Sequence, residues 1–170
     1  MDNPCIDCAM RLFNKQHYNL NGVGNPFMGK VIIIPNVDYS AAKKSSMMFS
    51  EQVAIIKHAI SSTGELENVF ILPLIRCKEY KKYPINTDII ERCTQYLKQD
   101  ILKYDWHNIM LCGITSTMLL KTPLKENIDK VYISKNNRRY FFNYNPFIKY
   151  NNKELFEVFK EKLCNFVYNQ

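Results

Sequence analysis

The chain has 170 residues, of which 46% are hydrophobic and 13% aromatic, enough to form one folded domain with a sizeable core. Its 23 Lys and Arg residues outnumber the 16 Asp and Glu residues, and the net charge of +7 favours an anionic partner, most commonly nucleic acid. No apolar run reaches the ~18 residues of a membrane span, and the polar segment 1–4 is unlike a signal peptide. We therefore expect an intracellular, cytoplasmic protein without a membrane partner.

Continuous β-branched and apolar runs predict the strands of a sheet. Segments 30–35, 68–75 and 108–112 have the pattern of strands that are buried on both faces, as parallel strands are. Segments 128–133 and 139–144 predict a fourth strand or a hairpin. Polar residues follow the predicted strands, and ligands of parallel sheets bind at the carboxyl ends of the strands.

Apolar residues at helical spacing predict three helices, over 50–60, 87–104 and 152–166. Strands that alternate with helices indicate an α/β domain with a mainly parallel sheet. No repeat, low-complexity linker or shift of composition divides the chain, so residues 1–170 are expected to form a single domain.

Four of the six cysteines have spacings that fit a metal centre. Cys5 and Cys8 form a C-x2-C pair, and Cys77 and Cys93 form a C-x15-C pair that joins a strand end to a helix. Four thiolates could hold either a [4Fe-4S] cluster or a structural zinc ion. The alternative is that they are buried core cysteines, because free cysteine is among the most buried residue types. The remaining two are predicted to be core thiols: Cys112 and Cys164.

The order of these motifs resembles the iron–sulfur uracil-DNA glycosylases, family 4 of that superfamily. The first cysteine pair precedes the turn Gly22-Val23-Gly24-Asn25-Pro26, Arg76-Cys77 is similar to the family's basic-Cys dipeptide, and Cys93-Thr94-Gln95-Tyr96-Leu97 is similar to its fourth-cysteine helix. The resemblance covers nearly the whole chain. It implies a three-layer α/β/α sandwich with a central four-stranded parallel sheet, and a structural [4Fe-4S] cluster on Cys5, Cys8, Cys77 and Cys93, with zinc as the alternative.

The family's catalytic side chains are replaced in this chain. Asn36 stands at the position of the carboxylate that assists water, Pro73 at that of the amide that reads the pyrimidine, and Asn145 at that of the histidine. Asp38, two residues after Asn36, could substitute only if its loop shifts register. Phe49 matches the aromatic residue that stacks on the flipped base. The resemblance therefore implies a retained fold without normal uracil excision.

Basic and aromatic residues lie in the loops that, by the resemblance, face DNA in this family. Lysine and arginine at such loops neutralise phosphates without reading sequence, although a solvated surface has the same composition. The predicted phosphate contacts are Lys43, Lys44, Arg76, Lys78, Arg138 and Arg139. Phe147 and Ile148 are at the position of the family's wedge into the base stack, or else pack on the last helix.

The leading hypothesis is a DNA-binding accessory or recognition subunit in replication, transcription or repair, with DNA and proteins of those processes as partners. One alternative is an active DNA glycosylase with a rebuilt pocket that uses Asp38 or Asn36 together with Asn145; the other is a protein–protein interaction module on the same scaffold. The Lys- and Asn-rich composition indicates an AT-rich bacterium, phage or virus as the source.

Overall fold

The computed structural model describes residues 5, 7–13, 20–60, 66–79 and 84–168. Within these ranges six strands form one sheet: β1 (Val23–Gly24), β2 (Lys30–Val37), β3 (Phe70–Lys78), β4 (Asn108–Cys112), β5 (Tyr132–Ile133) and β6 (Arg139–Asn143). The same ranges contain the helices α1 (Ala9–Phe13), α2 (Tyr39–Lys44), α3 (Glu51–Ile60), α4 (Thr87–Lys103), α5 (Thr115–Leu120), α6 (Leu124–Asn127), α7 (Ile148–Asn151) and α8 (Lys153–Tyr168). A 3-10 turn, Met47–Phe49, precedes α3.

The sheet is mixed, with the strand order β1-β3-β2-β4-β6-β5. Its four inner strands are mutually parallel, whereas the outer strands β1 and β5 pair antiparallel. The predicted α/β class is therefore confirmed, but the sheet has six strands rather than the four of the predicted parallel sheet. Both additional strands have only two residues, too few to produce an alternating pattern, and β5 is exposed at both.

Apolar side chains fill both faces of the sheet, which explains the continuous apolar runs of the inner strands. In β2, Ile32 and Ile34 belong to one core cluster and Val31 and Ile33 to the other. Helices α3 and α8 contribute to the first cluster, and α4 contributes to the second. The fully buried Phe159 of α8 lies in the first cluster. Each such side chain stabilises the fold by about 1.5–3 kcal/mol relative to an exposed one.

The predicted helices over 50–60, 87–104 and 152–166 correspond to α3, α4 and α8. The second strand, predicted to end at residue 75, continues to Lys78, so Pro73 lies inside β3 opposite Ile34. Of the predicted segment 128–133 only Tyr132–Ile133 is a strand, and it forms the hairpin with β6. No helix in the part of the chain that the structure describes is long and apolar enough to cross a membrane.

Candidate nucleic-acid interface

The carboxyl ends of the parallel strands bring distant loops together at one edge of the sheet. After β4, Gly113 has a positive φ of 61°, and a Cβ there would lie 3.0 Å from the Cβ of Asn145, which follows β6. The Gly113 N–H also donates to the Asn143 carbonyl at 2.8 Å. Only a residue without a side chain allows this approach, so Gly113 places Asn145 beside the end of β4.

Asp38 joins the end of β2 to two helices. Its Oδ1 accepts a hydrogen bond from the Ala41 N–H at 3.0 Å and caps α2. Its Oδ2 accepts from the Ser50 hydroxyl and, at 3.2 Å, from the Gln52 N–H in the first turn of α3. Both oxygens therefore serve as helix caps, and neither is left to position a water molecule or to stabilise a developing positive charge.

Asn36, at the predicted water-activating position, is half-buried at a shift of register between β2 and β3. Its carbonyl accepts a hydrogen bond from Nε2 of Gln52 at 3.0 Å. Gln52 is completely buried, and its Oε1 has no hydrogen-bond partner among the described residues. A buried polar amide beside Asn36 was not predicted from the sequence, although a glutamine among the apolar positions of α3 is a signal for it.

Asn145, at the predicted histidine position, forms a local turn. Its Oδ1 accepts from the Phe147 N–H at 2.9 Å, and its carbonyl accepts from the Ile148 N–H at the same distance. An amide used in this way fixes the loop before α7. Phe147 and Ile148 are half-buried and pack against the core cluster that includes α8. This packing corresponds to the alternative to a wedge into the base stack, namely packing on the last helix.

Exposed aromatic and basic side chains share the end of β2 and β3. Tyr39 is 65% exposed and Phe49 56% exposed, although both are large and apolar. The Nζ of Lys78 lies 4.6 Å from the centroid of the Tyr39 ring, and that of Lys44 lies 6.0 Å from the Phe49 ring. We call Tyr39, Lys43, Lys44, Met48, Phe49 and Lys78 the strand-end surface.

The strand-end surface continues toward α7 through Tyr150. This exposed tyrosine donates a hydrogen bond to Oε1 of Glu51 at 2.8 Å, and that bond raises its pKa. Lys149 lies 5.8 Å from the same ring. Neither Tyr39 nor Tyr150 was predicted from the sequence, because their exposure depends on how the short helices α2 and α7 pack.

Three of the six predicted phosphate contacts lie outside the strand-end surface. Arg76 is 5% exposed, forms an ion pair with Asp100 and lies over the Tyr96 ring. A guanidinium held in this way is little exposed to a phosphate, and the DNA contact of Arg76 stays a prediction. Arg138 and Arg139 lie at the amino end of β6, at the opposite edge of the sheet from the strand-end surface.

The four cysteines of the predicted metal centre are all buried. The Cys8 N–H donates to the Cys5 carbonyl at 3.2 Å, which forms a turn at the C-x2-C pair. Cys8, Cys77 and Cys93 belong to one core cluster. Thiols are the donor type that soft metals prefer, and these come from a turn, a strand end and a helix.

The surroundings of Cys93 favour its protonated thiol. Burial raises the pKa of Cys93 to about 11, with smaller contributions from the neighbouring Cys5 and Cys8. Burial and a hydrogen bond to Cys5 raise the pKa of Tyr96 to about 12. Among the described residues, no three His, Cys, Asp or Glu side chains are arranged to hold a metal ion, so the cluster stays a prediction. Cys112, fully buried in β4, is a core thiol as predicted.

No family model matches the chain, and no curated protein is significantly similar to it. The resemblance to iron–sulfur uracil-DNA glycosylases therefore depends on the motifs of the sequence.

Replacing Asp38 tests its role as a helix cap. We expect Asp38→Ala to lower the free energy of unfolding by about 2 kcal/mol, because it removes the acceptor of the Ala41 and Gln52 N–H groups in the first turns of α2 and α3. Urea denaturation measures this change. The matched control is Asp129→Ala, which removes an exposed carboxylate paired with Lys162 and should cost less than about 1 kcal/mol. Equal stability of the two variants would contradict the capping role.

Proposed function

We propose that the chain is a DNA-binding protein with the three-layer α/β/α fold of the uracil-DNA glycosylase superfamily and without normal uracil excision. It serves as an accessory or recognition subunit in DNA replication, transcription or repair. The observation that carries the proposal is the strand-end surface, where exposed aromatic rings and lysines alternate at the edge of the sheet at which ligands of parallel sheets bind.

Unpaired bases are the ligand that such a surface fits best. Aromatic side chains stack on bases of any sequence, and neighbouring lysines follow the phosphates. Tyr39 and Phe49 provide the rings. Lys43 and Lys44 provide exposed charges, one helical turn after Tyr39 on α2. In duplex DNA the stacked neighbours cover the faces of the bases, so single-stranded or unstacked DNA is the preferred ligand of this surface.

Three side chains at the predicted catalytic positions lack the chemistry of normal excision. Asp38 uses both carboxylate oxygens as caps, Asn36 carries an amide that cannot act as a general base, and Asn145 forms a local turn. Loss of a single electrostatic stabiliser costs a factor of ~10²–10³ in rate. These roles also weigh against the alternative of a rebuilt active site that uses Asp38.

We also propose that Cys5, Cys8, Cys77 and Cys93 hold a [4Fe-4S] cluster with a structural role. The cluster supplies cross-links between chain segments rather than a reacting group. The thiols would join the turn before α1 to the end of β3 and to α4, segments that are distant in sequence. Arg76, within electrostatic range of Cys93, would offset part of the negative charge of four thiolates.

DNA binding is tested with the double variant Lys43→Gln/Lys44→Gln. We expect a loss of about fivefold to tenfold in affinity for a single-stranded oligonucleotide, and a reduced dependence of affinity on salt, because fewer counterions are released. Fluorescence anisotropy at several salt concentrations measures both. The control Lys98→Gln/Lys125→Gln removes the same charge from exposed positions on α4 and α6 and should bind like the unmodified protein.

Two results would overturn the DNA proposal: no binding at any salt concentration, or equal losses in the two double variants. The first would favour a protein–protein module, and the second would mean that only net charge matters.

A glycosylase assay tests the absence of excision. We expect no abasic product from single- or double-stranded oligonucleotides that contain uracil, because both oxygens of the Asp38 carboxylate at the end of β2 already accept hydrogen bonds from α2 and α3. Abasic product that disappears in Asp38→Ala, in a variant still folded by circular dichroism, would show a rebuilt active site instead.

Metal analysis tests the cluster. Anaerobically purified protein should contain about four iron atoms per chain, and Cys5→Ser should lose them. Cys164→Ser, at a half-buried position on α8, should keep the iron and is the matched control. A colourless preparation that contains zinc and no iron would contradict iron–sulfur ligation.

A further inference from the structure

A pocket of about 320 Å³ opens at the amino ends of β2, β4 and β6, beneath α8. This edge of the sheet is opposite the strand-end surface, and the proposed DNA site uses none of its residues. The volume is at the lower end of the ~300–1,000 Å³ of small-molecule sites, which favours a ligand of the size of a single nucleotide.

Positive charge dominates the lining of the pocket. Lys30, Lys130, Arg139 and Lys162 contribute four cations, and among the described residues that line it Asp129 is the only carboxylate. Oδ1 of Asp129 lies 2.6 Å from Nζ of Lys162, so the two charges offset each other. Lys130 and Arg139 then add positive charge to the pocket that an anion would stabilise.

Two of these cations are held close together. Nε of Arg139 donates to Oδ1 of Asn108 at 2.7 Å, which fixes the guanidinium at the amino end of β6. Nζ of Lys30 donates to the Val167 carbonyl at 2.8 Å. Burial and, second, the charge of Arg139 lower the pKa of Lys30. Bringing like charges together costs free energy, and a bound anion between them removes that cost.

The remaining lining is aromatic and apolar. The half-buried Phe141 packs edge to face on Phe166, with ring centroids 5.2 Å apart, and the Arg139 guanidinium lies 6.0 Å from the Phe141 ring. Met110 and Ile128 complete this side. A phosphate alone would leave the apolar side uncovered, whereas a flat base covers it and attaches to a phosphate at the basic mouth.

We propose that this pocket binds a nucleoside monophosphate, with the base against Phe141 and the phosphate held by Arg139 and Lys130. The site is independent of the proposed DNA-binding function, because it lies at the other end of the strands. Arginine suits the phosphate because its planar guanidinium can donate two parallel hydrogen bonds.

Calorimetric titration with adenosine 5′-monophosphate, adenosine and inorganic phosphate tests the proposal. We expect the monophosphate to bind at least about tenfold more tightly than either fragment, since only it uses both sides of the pocket. Arg139→Gln and, separately, Lys130→Gln should each weaken its binding by about tenfold. Lys153→Gln, an equal charge change at the start of α8 outside the pocket, should leave binding unchanged.

The same titration of Lys43→Gln/Lys44→Gln distinguishes the two ends of the sheet. Unchanged monophosphate binding in that variant supports the pocket, and lost binding would place the ligand at the strand-end surface and overturn the proposal. Monophosphate binding no tighter than phosphate, or insensitive to both Arg139→Gln and Lys130→Gln, would also overturn it. Circular dichroism of each variant shows that any loss occurs in folded protein.

Discussion

The carboxylate of Asp38 is the contact on which the carboxyl edge of the sheet depends. It accepts three hydrogen bonds and links the end of β2 to the first turns of α2 and α3. The 3-10 turn with Phe49 lies between these helices, so the same carboxylate fixes the position of the exposed rings and lysines. A residue that holds two helices in this way is costly to recruit for catalysis, because a shift toward a substrate would break its hydrogen bonds to both.

Much of the sheet could be predicted because its inner strands are buried on both faces. The apolar runs of β2 and β4 leave no polar face to obscure their pattern, and their bounds match the prediction within two residues. Strand β1 escaped prediction because two residues carry no periodicity, and of the predicted segment 128–133 only the two residues of β5, neither of them buried, form a strand. Such strands form because a neighbouring strand offers hydrogen-bonding groups, which is a property of the assembled sheet.

The candidate site was less predictable for the same physical reason. The sequence shows that Arg76 is charged, but its partner Asp100 lies 24 positions away on α4, and only the fold brings them together. Asp38 has the residue type of a catalytic group and of a helix cap alike. The difference depends on where Ser50 and Gln52 lie. Residue type and spacing thus predict which functional groups the chain has, whereas the contacts in the fold decide which of those groups already have a structural role.

The short length of the parallel strands has an electrostatic consequence. With eight residues and a rise of ~3.3 Å each, β2 separates the basic pocket at its amino end from the strand-end surface at its carboxyl end by about 26 Å. The Debye length is about 8 Å at physiological ionic strength but about 30 Å in ~0.01 M salt. The charges at the two ends are therefore screened from each other at physiological ionic strength, whereas in dilute buffer each raises the potential at the other. An anion at one end would then weaken anion binding at the other through the field alone, without any change of shape.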